Sequence, residues 1–126
     1  MRLSWLLVFN AVVALAYAIP AILVPGALYS LYGMSSTAGA QLVMQLFGSV
    51  LLMEGLLTWQ LRDIGPGAVR GGLTLALFAE ALVGLLVSLV AQLGGVVNAL
   101  GWGVVALPIV FVLGYGYYRF VRPDAP

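Results

Sequence analysis

Cysteine, histidine and lysine are all absent from these 126 residues, and charge of either sign is scarce. Without cysteine there is no disulfide, no thiolate nucleophile and no Cys-based zinc or iron–sulfur centre. Without histidine there is neither a Ser/His pair nor a bis-His haem. The five basic residues are Arg2, Arg62, Arg70, Arg119 and Arg122, so no lysine is present to form a Schiff base or to serve a phosphate-binding P-loop. Most enzyme classes lose their nucleophile or general base, and the expectation is a non-enzymatic protein. Two carboxylates without histidine fall short of a di-iron ligand set, so neither metal nor cofactor is expected. Five arginines do not make a nucleic-acid surface either.

What is present in excess is apolar. Hydrophobic residues make up 63% of the chain and charged residues 7%, where a soluble domain carries about 25% charged. Nine charges cannot solvate such a surface, and a disordered chain would need low hydrophobicity. With a mean hydropathy of +1.14, the sequence is that of an integral membrane protein.

A helix crosses the hydrocarbon core with about 20 apolar residues. The run from Leu3 to Met53 is uncharged and too long for two such helices, so it must turn. Pro25-Gly26 and the stretch Tyr32-Gly33-Met34-Ser35-Ser36-Thr37 supply the turn and an N-cap. Spans are therefore expected over 3–24 and 38–61. Gly26 to Tyr32 fits a short interfacial helix between them, with Tyr29 and Tyr32 at headgroup level. Arg62 to Arg70, interrupted by Gly65-Pro66-Gly67, reads as an aqueous loop. Gly65-Pro66-Gly67 with Gly71-Gly72 follows no strand and carries no lysine, which disfavours a P-loop cradle. Two more spans follow over 71–93 and 96–120, separated by Gly94-Gly95, and Pro108 predicts a kink or an unpaired carbonyl in the last. The fold expected is all-α, a single domain over 1–126 forming an antiparallel bundle of four transmembrane helices. Arg2, the apolar Leu3 to Leu15 and Ala16-Tyr17-Ala18 also fit the layout of a cleaved leader. The apolar run, however, continues to Val24, which is span length.

All five arginines fall on one side of these spans, and the two connections on the other side carry no charge. That is the positive-inside pattern for both termini in the cytoplasm. The arginines suit an anionic lipid surface, and Trp5, Trp59, Tyr117 and Tyr118 fit interfacial anchors.

Three polar residues fall well inside the spans: Asn10, Glu54 and Glu80. At 1.5 Å per residue each lies roughly 10 to 15 Å from the cytoplasmic end, so they are expected to form one buried polar cluster. An ionised carboxylate there is costly, and a neutral acid donating a hydrogen bond is cheaper. Such a pair of acids can carry protons or bind a lipophilic or cationic ligand, and it can equally be hydrogen-bond glue in an assembly. Gly72, Ala76, Glu80, Gly84 and Ser88 follow in four-residue steps, as do Asn10, Ala14 and Ala18, and Gly95, Ala99 and Gly103. These small residues are expected to line the faces where helices approach closely.

Leu46-Phe47-Gly48 with Gly55, the turn Ala91-Gln92-Leu93-Gly94-Gly95, and Asn98-Ala99-Leu100-Gly101-Trp102 resemble small four-span bacterial membrane proteins of the DoxX-like group. The resemblance implies the four-span fold and a place in the bacterial inner membrane, and it implies no catalytic residue. The expected function is an accessory or assembly subunit of a bacterial membrane complex, in contact with lipid and with a protein partner or further copies of itself. The alternative is a small proton-coupled transporter or lipophilic-ligand binder that uses Glu54 and Glu80.

Overall fold

The computed structural model describes all 126 residues. The chain is all-helical: α1 Leu3–Leu23, α2 Pro25–Leu31, α3 Ala38–Gln60, α4 Ala68–Leu93 and α5 Gly101–Gly116, the last running into a π-helical turn at Tyr117–Val121. Four helical stretches are long and apolar enough to cross a membrane: Leu3–Leu23, Ala38–Gln60, Ala68–Leu93 and Gly101–Val121. Large apolar side chains stand exposed along them, including Leu42, Leu46, Val50 and Met53 on α3 and Val83, Val87 and Val90 on α4. Continuous apolar surface of that kind is stable against lipid and not against water. The protein is a multi-pass membrane protein.

The boundaries differ from the sequence expectation at two points. α4 starts at Ala68, which puts Arg70 inside its first turn rather than in a loop. The fourth span starts at Gly101, because residues 96–100 are used in a turn in which the Asn98 side-chain oxygen accepts from the Leu100 amide at 3.0 Å. Short polar side chains that bond the backbone two residues on compete with helix. Pro108 lies within α5 without ending it. The departure from α geometry comes later, where the Arg122 amide reaches the Tyr117 carbonyl at 2.9 Å.

The chain divides into two compact units, one of Leu7–Arg62 and one of Met1–Leu6 with Asp63–Pro126. In the first, α1 and α3 run antiparallel, with Gly48 against Ala18, Ala21 and Ile22, and Gly55 against Ala11 and Leu15. The two glycines are seven residues apart, hence on one face. A Cβ at Gly48 would come within 2.8 Å of Ile22, and one at Gly55 within 2.7 Å of Leu15, so close backbone approach requires glycine at both. Gln45 Nε2 donates to the Ile22 carbonyl at 3.0 Å, fixing the same register. The expected short helix is present as α2, which opens on Pro25. It is tied back by Tyr29 donating to the Ala40 carbonyl at 3.0 Å and by a 2.8 Å bond between the hydroxyls of Tyr17 and Tyr32. Thr37 caps α3 as its sequence position predicts, accepting from the Ala40 amide at 3.1 Å.

In the second unit α4 and α5 pack antiparallel. Gln92 closes the turn by donating to the Asn98 carbonyl at 3.2 Å, and its side chain backs onto Gly101. Further along, Phe78 lies against Gly116 and meets Phe120 edge-on at 5.2 Å. Leu6 fills the space beside Gly114. The amide of Leu3 donates to the Pro126 carbonyl at 2.9 Å, so the two ends of the chain meet in this unit.

Candidate functional site

The polar residues singled out from the sequence have different environments. Asn10 on α1 is buried and Glu54 on α3 is half-buried, and neither is without an interaction. Glu80 is exposed on α4 and makes no hydrogen bond or ion pair within the chain, which corrects the expectation that it is buried. The reason is rotational. α4 buries Arg70, Thr74, Leu77 and Ala81, a stripe at alternating four- and three-residue steps that stays on one side of a 3.6-residue helix. Strict four-residue steps overshoot each turn by about 40°, so Gly72, Ala76 and Glu80 lie off that stripe and only the C-terminal end of the series approaches it.

The same drift corrects the packing series. Gly72, Ala76, Gly95, Ala99 and Gly103 are exposed, while Gly84 and Ser88 are half-buried. A Cβ at Gly72, Gly84 or Gly103 meets no atom within 4 Å. The Ser88 hydroxyl turns back to the Leu85 carbonyl at 3.2 Å. Gly95 serves its turn through a positive φ of 72° rather than through close packing. In the α1 series, by contrast, Asn10, Ala14 and Ala18 are all buried.

Glu80 lies at the middle of the 26-residue α4, about 18 Å from either end at 1.5 Å per residue. Ala76, Val83 and Val87 share its side of the helix and are exposed with it. A carboxyl group is thus held at mid-membrane depth on an otherwise apolar face. An ionised side chain in lipid there costs about 3 kcal/mol on insertion scales, and such residues usually face protein or water.

A second polar group escaped the sequence reading. Arg70 is only 3% exposed. Its Nη2 donates to the Ala125 carbonyl and its guanidinium stacks on the ring of Tyr118, whose hydroxyl donates to the Met1 carbonyl. The signal was present, since Arg70 precedes Thr74 and Leu77 by four and seven residues and so belongs to the buried stripe. By sequence Arg70 falls instead at the end of the loop interrupted by Gly65-Pro66-Gly67. The chain matches no protein family, no curated protein and no solved structure.

Proposed function

We propose that this chain is a non-enzymatic subunit of a larger assembly in a bacterial inner membrane, with both termini in the cytoplasm. One observation carries the reading: Glu80, a carboxyl at the centre of a membrane-length helix, has no partner in its own chain. A protein neighbour that offers it a hydrogen-bond partner relieves the cost of facing lipid. The lack of cysteine, histidine and lysine supports a structural rather than a chemical role, and the one-sided arginines support the orientation.

The absence of native cysteine makes the test direct. Val87→Cys places a thiol on the Glu80 face, and cross-linking in native membranes should give one discrete adduct at high yield, with a second copy or with a larger subunit. Glu80→Gln should preserve that adduct, and Glu80→Leu should abolish it. A chain that stays monomeric in the bilayer, with Glu80→Leu more stable than the parent, would overturn the proposal. Loss of proton-driven uptake in Glu80→Gln, with no adduct in either protein, would establish the transporter alternative instead.

A further inference from the structure

We propose that the N-terminal end of α4 is a binding site for a phosphate-type oxyanion, borne by an anionic lipid headgroup or free in solution. The inference is independent of Glu80 and of the subunit reading. A cavity of about 380 Å3 lies there, walled by Gly67, Arg70, Gly71, Tyr118, Arg119 and Asp124. That volume lies within the range of small-ligand pockets.

Three features of the cavity call for negative charge. Gly67 caps α4 without a side-chain bond, and the amides of Ala68, Val69 and Arg70 find no acceptor in the chain. The N-terminal end of a 26-residue helix therefore presents free donors and a partial positive charge. Arg70 adds a full charge in the same turn, where the helix dipole opposes it. The residue is only 3% exposed, no carboxylate pairs with it, and its Nε is buried without an acceptor, Nη2 alone bonding the Ala125 carbonyl. Arg119, which also lines the cavity, likewise buries an Nε without an acceptor. Burying a guanidinium without a counter-charge is strongly unfavourable. An oxyanion that accepts from the amides and from both arginines supplies what the chain leaves out.

Space for that anion stands against the backbone. A Cβ at Gly67, Gly71 or Gly72 meets no atom within 4 Å, and Gly67 has a φ of 151°, which a larger residue would not adopt without strain. Asp124 is the only acid on the wall; it is exposed and forms an ion pair with neither arginine. It competes weakly with an incoming anion and does not replace it. Because α4 is a membrane-crossing helix, its first turn lies at headgroup depth, where a lipid phosphodiester is at high local concentration.

The test uses the full chain in neutral detergent with two probes. Native mass spectrometry compares retention of phosphatidylglycerol with phosphatidylcholine, and thermal unfolding follows titration with inorganic phosphate at constant ionic strength. For the parent protein we expect a preference of about tenfold for phosphatidylglycerol, stronger in Asp124→Asn and lost in Arg70→Gln. Arg70→Gln also loses its bond to Ala125 and can fail to fold. Arg119→Gln and Gly71→Val therefore carry the test, the first weakening binding severalfold and the second placing side-chain volume in the cavity wall, where a Cβ meets no atom within 4 Å. Lipid preference that survives millimolar phosphate identifies the headgroup. Saturable stabilisation by phosphate, without lipid preference, identifies the free ion. Equal binding of both probes by the parent, Arg119→Gln and Gly71→Val would overturn the site.

Discussion

The guanidinium of Arg70 stands 5.7 Å from the centroid of the Tyr118 ring, within cation–π range. The Tyr118 hydroxyl donates to the Met1 carbonyl, so one buried side chain links the start of α4 to the N-terminal segment. Ring and hydroxyl are separable by mutation. Tyr118→Phe keeps the ring and should cost about 1 kcal/mol, the net worth of one hydrogen bond. Tyr118→Leu also removes the face under Arg70 and should cost about 2–3 kcal/mol in total. Unfolding titrations in mixed micelles measure both, and equal losses would place the whole effect in the hydroxyl.

The glycines fall into two classes that alanine distinguishes. A Cβ at Gly48 would lie 2.8 Å from Ile22 and 3.2 Å from the Ala18 carbonyl, and at Gly55 it would lie 3.3 Å from the Ala11 carbonyl. Gly48→Ala and Gly55→Ala should each destabilise the protein by about 1–3 kcal/mol through overpacking. Gly84→Ala and Gly103→Ala meet open space and should be neutral or stabilising by up to about 1 kcal/mol from helix propensity. Thermal stability of the four variants in one detergent decides the ranking.

Tyr32 should resist alkaline titration. Burial, then the hydrogen bond and charge interaction with Tyr17, push its phenol well above the ordinary value of 10.0. Folding thus favours the protonated phenol. Its stabilising contribution is complete below pH 10 and is lost as pH rises toward the folded-state value. The near-ultraviolet phenolate signal, taken as the difference from Tyr32→Phe, should show Tyr32 ionising late. Tyr17→Phe should lower its midpoint without restoring the ordinary value, because burial is the larger cause.

The proposed orientation, with the arginines on the cytoplasmic side, is tested in the same cysteine-free background. A thiol introduced by Ser36→Cys should react with an impermeant reagent added to intact cells, and one introduced by Asp63→Cys should not. Labelling of the Asp63→Cys protein alone would reverse the orientation.

The sequence by itself determined the number of long helices, their approximate limits and their apolar exterior. Those depend on runs of residue type and on the length needed to cross a hydrocarbon layer. It also offered a cap in the stretch that ends at Thr37 and a short helix after the Pro25-Gly26 turn, because such residues act on backbone groups within a turn of themselves. It could not choose among 16 glycines, since whether a glycine is needed depends on what lies opposite. Gly48 and Gly55 face α1 only because the α1–α3 register, held by Gln45 and Ile22, puts Ala18 and Ala11 across from them. The small-residue series through Gly72 and Glu80 looked equivalent, yet a 3.6-residue helix carries it off the buried stripe. Tertiary structure likewise decided the fate of Arg70. Its charge argued for water, and it is buried because the C-terminal segment supplies the Ala125 carbonyl and the Tyr118 ring more than 45 residues away in sequence, a partnership no local pattern encodes.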